Sequence, residues 1–298
     1  MSFRMKCCCS LLLTFIASLS AWGQGQELRY KFAPGGKNSY VMEQAQNMKM
    51  SVNGQDFEIK MNMMFEMTQA VDSVDTATGT AKIKQKIDRV KMTMEGGPIG
   101  MMEYDSKSDK EPDGPLAAMA GIFKAMTEGE MKMTMNTRGE VSDFKMPEKL
   151  IDELKNISGG AAGGFGGNMF SEDALKNMFN QSSLILPKEV AVAGETTWNR
   201  NMDMKLGAMG TMKNNTKYTY VGKSGEFDKI DMKMDMKMEP DPNAPMQINM
   251  KTKEASGNTL FDNAKGRIQE ISVKTVSEME MGQFGTANVS QTMKMKLK

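Results

Sequence analysis

The sequence predicts a mainly β protein: an extended, curved antiparallel sheet, as a half-barrel or a sandwich, made from two related β-meander halves with about three short helices in the middle of the chain. Three observations carry this. Apolar and polar residues alternate along most of the chain, Gly- and Asn-containing turns punctuate the alternating runs, and helical signals are confined to the centre. With 298 residues, 40% hydrophobic and 25% charged, the chain is long enough to bury a substantial core and is not of disordered composition.

The alternation has an unusual filler. Methionine, of which there are 35, takes the apolar beat in Met48-Lys49-Met50, Met61-Asn62-Met63, Met92-Thr93-Met94, Met131-Lys132-Met133-Thr134-Met135 and Met232-Lys233-Met234-Asp235-Met236-Lys237-Met238. Successive strand residues point to opposite sides, so each run sets its sulfurs on one face and Lys, Asp, Thr or Asn on the other. Half-buried antiparallel strands read this way. Strands are expected at 37–52, 55–74, 80–95, 130–136, 140–145, 196–206, 211–222, 226–238, 246–255, 259–262, 267–281 and 285–297. Turns are expected at Asn53-Gly54, Gly79, Arg138-Gly139, Lys223-Ser224-Gly225 and Gly257-Asn258.

The helices follow from start signals. Pro115 opens an Ala-, Leu- and Met-rich run over 116–126, Pro147-Glu148 opens 149–157, and Ser171-Glu172-Asp173 caps 174–179. Between the last two lies the glycine-rich stretch 158–167. It lacks the Gly-Lys-Ser/Thr ending of a phosphate loop and reads as a flexible linker.

The amino terminus has the three parts of a secretory signal: Arg4 and Lys6, an apolar run from Leu11 to Leu19, and Ala21-Trp22-Gly23 before Gln24. Export to the periplasm or the extracellular space is therefore expected. Cys7, Cys8 and Cys9 all lie within this segment, ahead of the apolar run, which argues against a lipidated cysteine. The expected organisation is a signal peptide at 1–23, an N-terminal β-meander half at 24–157, a glycine-rich linker with a short helix at 158–183, and a C-terminal half at 184–298. The halves echo one another: Gly36 precedes Tyr40 by four residues as Gly194 precedes Trp198, and Met48/Met50 follow the first as Met202/Met204 follow the second.

Composition also restricts function. There is no histidine, and the chain beyond residue 23 has no cysteine, so Ser/His and Cys/His nucleophilic catalysis and zinc sites of those ligands are excluded. Removing Arg4 and Lys6 leaves 36 basic against 37 acidic residues, a net charge of −1, which offers no electrostatic basis for nucleic-acid binding. No segment is apolar for the roughly 18–20 residues of a spanning helix. A membrane β-barrel fits poorly too, with aromatics at 7% and a central helical block. Acidic residues fall on the polar beat of strands and in loops, which reads as solvated surface. The acidic loops Asp105–Asp113 and Glu239–Pro242 lack the spacing of a dedicated calcium loop, and no metal or cofactor is expected.

The chemistry left is methionine. Its ordinary role is to fill an irregular core. A second role is an adaptable apolar surface for a ligand, for which the candidate residues are Met48, Met50, Met92, Met94, Met131, Met133, Met135, Met232, Met234, Met236 and Met238. A third is Cu(I) ligation by thioethers on neighbouring strands. The sequence thus favours a non-enzymatic binding or carrier module for an apolar, lipid or lipoprotein-like ligand. The alternative is a structural or interaction protein of the cell envelope with no small ligand, its partner being an envelope protein.

Several segments carry a family resemblance. Leu28-Arg29-Tyr30-Lys31-Phe32 with Gly35-Gly36 and Tyr40, Pro115-Leu116-Ala117-Ala118-Met119, Leu186-Pro187 through Gly194 to Trp198, and Phe261-Asp262 with Gly266-Arg267-Ile268 resemble an uncharacterised family of secreted bacterial β-rich proteins. That resemblance spans most of residues 28–298 and implies export and a β-rich fold, with no active site to carry across. A looser similarity, of fold alone, is to periplasmic lipoprotein-carrier half-barrels.

Overall fold

The computed structural model describes residues 25–52, 54–97, 100–108, 115–158, 183–205, 210–241, 248–282 and 285–298. In chain order the elements are β1 (Lys37–Val52), β2 (Gln55–Asp75), β3 (Thr80–Glu95), β4 (Met101–Asp105), α1 (Pro115–Glu128), β5 (Glu130–Met135), β6 (Val141–Lys145), α2 (Glu148–Ser158), β7 (Thr197–Lys205), β8 (Thr211–Ser224), β9 (Phe227–Glu239), β10 (Asn249–Asp262), β11 (Arg267–Glu280) and β12 (Thr286–Leu297). The period-2 reading therefore locates most strands closely. The expected signal peptide, the glycine-rich stretch and the helix at 174–179 lie outside the described residues.

All twelve strands belong to one antiparallel sheet in the order β6-β5-β3-β2-β1-β12-β11-β10-β9-β8-β7, with β4 beside β3. The sheet is open: β6 and β7 end the order and do not pair with each other. A sandwich is thereby corrected, since among the described residues no second sheet stacks on the first. Two helices are described rather than about three. Each half of the chain runs as a meander, and β1 joins β12 along twelve residue pairs from Tyr40↔Leu297 to Ser51↔Thr286, so the first and last strands meet mid-sheet. Strands of 14–21 residues reach about 45–70 Å.

Two differences from expectation have local causes. Gly257-Asn258 is not a turn; it lies inside β10, which runs unbroken where two strands are expected. A Cβ at Gly257 would stand 2.4 Å from the Ser272 carbonyl oxygen and 3.1 Å from the Met232 methyl, so this glycine permits close approach rather than chain reversal. The unexpected β4 offers only two inward positions, Met102 and Tyr104, too short a pattern to read in advance. It forms because β3 supplies a template: Met94 pairs with Met102 and Met92 with Tyr104. β5 takes the other end of the same β3 edge through Ala81↔Met135 to Lys86↔Glu130.

α1 bridges β4 and β5 across that edge. Its Ile122, Phe123, Ala125 and Met126 are buried, Lys124 is exposed, and the Phe123 ring meets Tyr104 with centroids 5.0 Å apart. α2 adds Leu150 and Leu154, one turn apart and both buried, and Lys149 pairs with Glu128 at the end of α1. α1 thus covers the β3 region of one sheet face, and α2 packs on α1. Among the described residues no helix is long and apolar enough to cross a membrane.

Candidate ligand-binding face

Register gathers the apolar beat of the central strands onto one face. On β1, Tyr40, Met42, Met48 and Met50 point the same way, opposite Met67, Phe65, Ile59 and Phe57 of β2 and Leu297, Met295, Val289 and Ala287 of β12. Further out, Tyr218 and Tyr220 of β8 pair with Met232 and Ile230 of β9. The reverse face is laced with ion pairs such as Lys84–Asp72 (2.8 Å), Lys274–Glu254 (2.8 Å) and Lys294–Glu270 (3.2 Å). These are solvated and add little stability each. Their effect is to make the sheet one-sided.

At one end of the strands the apolar face is closed. The segment before β1 crosses it, with the Tyr30 amide donating to the Thr137 carbonyl (2.7 Å), the Lys31 amide to Gly266 (3.1 Å) and the Tyr30 hydroxyl to Leu184 (3.0 Å). Arg29 donates to the carbonyls of Pro187 (2.9 Å) and Lys188 (2.7 Å). Gly266 makes this crossing possible: its φ is +62°, and a Cβ there would sit 2.2 Å from the Lys31 nitrogen. The Tyr30 ring packs edge-on against Phe261, centroids 5.3 Å apart, and stacks with Phe32 at 6.1 Å. Register shifts at Glu66/Met67, Val71/Ser73, Tyr220/Gly222 and Leu260/Phe261 cluster at this end, and such bulges bend the strands that carry them.

Beneath the crossing segment lies a cavity of about 420 Å³. Its floor is largely apolar, with Met67, Met133, Met135 and Met295. One polar pair interrupts it. Gln69 donates to the buried Gln85 side-chain oxygen (3.0 Å), and the Gln85 amide in turn reaches the Met67 sulfur at 3.7 Å, a weak acceptor. Arg267 also lines the cavity: its Nη1 donates to Asn38 Oδ1 (2.9 Å), while its buried Nε has no acceptor.

Toward the other end the same face opens over β8 and β9, while over β1 and β12 Met48, Met50 and Met279 pack against a small buried cluster of Ile248, Met281 and Ala287. The eleven candidate methionines divide accordingly. Met92, Met131 and Met232 are core residues at 1%, 1% and 7% exposure, and Met133 and Met135 form cavity floor. Met48, Met50, Met94, Met234, Met236 and Met238 are half-buried. Register sets further sulfurs beside these, in the rows Met61–Met94–Met102 and Met204–Met212–Met238. Directly opposed residues place their Cβ atoms roughly 4.5–5.5 Å apart. Sequence reading did not single out Arg267, Gln69, Gln85 or Tyr30 as site residues. The signal for Arg267 was present in the turn Lys265-Gly266-Arg267, but which face that turn meets is a long-range matter.

Several titratable groups are buried or ion-paired. Burial raises the Tyr40 phenol to about 12, partly offset by Arg267, and the other four tyrosines are also raised, with desolvation the largest cause. Asp228, fully buried, accepts from the Tyr220 hydroxyl (2.7 Å) and Lys223 Nζ (2.7 Å). Asp105, from the first acidic loop, is clamped by Arg89 Nε (3.0 Å) and Nη2 (2.5 Å), whose hydrogen bonds hold its carboxyl down at about 2. Residues 109–114 and 242 of the acidic loops lie outside the described residues. Glu239, from the second, pairs with Lys213 at 2.6 Å. Among the described residues no three acidic side chains gather into a group able to hold a metal ion.

Comparison with solved structures finds similarity to lipovitellin, in a structure describing its lipid–protein interactions, at 12% identity and a TM-score of 0.47 over 90% of this chain and 25% of that one. The chain thus spans about a quarter of lipovitellin's length. Similarity is weaker to DynF from the dynemicin biosynthesis pathway of Micromonospora chersina, at 6% identity, TM-score 0.24, and 93% and 86% coverage of this chain and that one. A putative outer membrane lipoprotein-sorting protein domain from Vibrio parahaemolyticus follows at 8% identity, TM-score 0.18, with 87% and 85% coverage. No functionally curated protein matches the chain. Residues 78–268, well over half of the chain, match the profile of a family of unknown function, and the protein belongs to that family, DUF6263.

Proposed function

We propose that the protein is an exported, non-catalytic binding or carrier protein that holds an apolar, lipid or lipoprotein-like ligand on the methionine-lined face of its open sheet. One observation carries this reading: along β9 the apolar beat passes without interruption from Ile230 at 0% and Met232 at 7% exposure to half-exposed Met234, Met236 and Met238. The face continues past the point where the fold buries it. Apolar area left in water costs about 25 cal/mol per Å², and a ligand seated on it recovers that cost. Unbranched, polarisable methionine repacks around ligands of varied shape more readily than a β-branched residue would.

An environment-sensitive naphthylamine dye tests the reading. The protein is expected to take up the dye and release it to acyl lipids. The double variant Met212→Glu/Met236→Glu, on the half-exposed zone, is expected to lose uptake while keeping its melting temperature. Absence of uptake, or uptake unchanged in the variant, would overturn the proposal and favour a structural or interaction role. The row Met204–Met212–Met238 supports a second reading, Cu(I) held by three thioethers. Stoichiometric uptake of Cu(I) against a competing chelator supports it, and no uptake removes it.

A further inference from the structure

We infer that the cavity beneath the crossing segment is a separate site for an amphiphile with one acyl chain and a carboxylate head, the chain lying among Met67, Met133 and Met295 and the head against the Arg267 guanidinium. It shares with the reading above only the premise that this sheet face receives apolar ligands. Three features point to an anionic head. Lys31, Lys37, Lys265 and Arg267 line the cavity, and no acidic side chain does. Lys31 donates to the Ala264 carbonyl and Lys265 is shared with Asp262 at 3.7 Å, but among the described residues Lys37 and Arg267 have no carboxylate partner. Finally, with Nη1 turned to Asn38, the Nε–Nη2 edge of Arg267 is left, and its Nε is buried without an acceptor.

A buried donor without a partner is an exception that folded proteins rarely carry. A carboxylate satisfies such an edge with two parallel hydrogen bonds, geometry that a lysine ammonium does not reproduce. Gln69 and Gln85 bond to one another, and most of the remaining wall is thioether, aliphatic and aromatic carbon, which suits an acyl chain. At about 420 Å³ the cavity is at the small end of the 300–1,000 Å³ usual for small-molecule pockets, which fits a single chain.

Dodecanoate and dodecanol, alike in chain and unlike in head, separate the possibilities by calorimetric titration of the protein without its signal segment. The wild type is expected to bind dodecanoate about tenfold more tightly than dodecanol, as a charge-assisted pair allows. Arg267→Gln is expected to bring the two affinities together, and Lys37→Gln to lessen the preference if the arginine variant fails to fold. The Met212→Glu/Met236→Glu variant is expected to keep the preference. Equal affinities in the wild type, a preference that survives Arg267→Gln, or one lost on altering the open zone would each overturn the inference while leaving the open-face reading standing. Binding of neither compound would overturn the cavity site, and with no dye uptake the open-face reading falls as well.

Discussion

The two ends of the same strands obey one sequence rule and meet different fates. On β8 and β9, Tyr220, Tyr218, Ile230 and Met232 are buried at the closed end, whereas Met212, Met234, Met236 and Met238 are half-exposed toward the other. On β1 the same passage runs from Tyr40 at 4% exposure to half-buried Met48 and Met50. Along β9 period alone cannot distinguish these ends, because the alternation is unbroken between them, whereas Gln44 and Gln46 interrupt the apolar beat on β1 and Thr216 and Asn214 on β8. On β9 the residue filling the apolar beat also changes, from Ile230 in the core to Met234, Met236 and Met238 beyond it, although methionine floors the cavity at the closed end as well. Rigid side chains suit a fixed partner, and flexible ones suit a partner that varies.

Truncation along one strand breaks or sharpens that contrast most strongly. Ile230→Ala is expected to cost about 2–5 kcal/mol, as for other fully buried aliphatic residues, whereas Met236→Ala on the same strand should stay within roughly 0.5 kcal/mol, as for exposed sites. Urea unfolding measures both, and similar losses at the two positions would erase the distinction between the ends. Smaller, and still at the closed end, is Asp228→Ala, which strands the Tyr220 hydroxyl and is expected to cost about 1–3 kcal/mol.

Alkali supplies a third contrast without mutation. All five tyrosines are raised by burial, and four of them, Tyr30, Tyr40, Tyr218 and Tyr220, belong to the closed-end core. Above the ordinary phenol value of 10.0 the unfolded chain releases protons that the folded chain retains, so stability is full below pH 10 and falls as pH rises toward about 12, the folded value of Tyr40. Phenolate absorbance should therefore rise together with unfolding, as one transition. Independent titration of the tyrosines in a still-folded protein would show the closed end to be looser than described.

Much of this architecture was legible in advance because period-2 patterning and turn residues act locally. Lys37–Val52 and Thr80–Glu95 were readable to the residue, and Val52↔Gln55 pairing matches the expected Asn53-Gly54 hairpin. Gly257 was misread because a glycine admits both reversal and close approach, and only the partner strand decides between them. β4 was missed because its stability comes from β3 and Phe123 rather than from its own five residues. The candidate face was legible as a set of methionines, but its division into core, cavity floor and half-open zone was not. That division depends on where Leu28–Phe32 crosses the sheet, a contact that joins residues more than 230 positions apart, as in the bond from the Asn263 side chain to Glu27.

The central claim is that the open methionine face is occupied in the working protein, and native mass spectrometry of the protein purified without detergent tests it most directly. The account predicts a recurring lipid-like adduct that organic extraction removes and added acyl lipid restores. A bare protein that takes up no lipid under those conditions would contradict it.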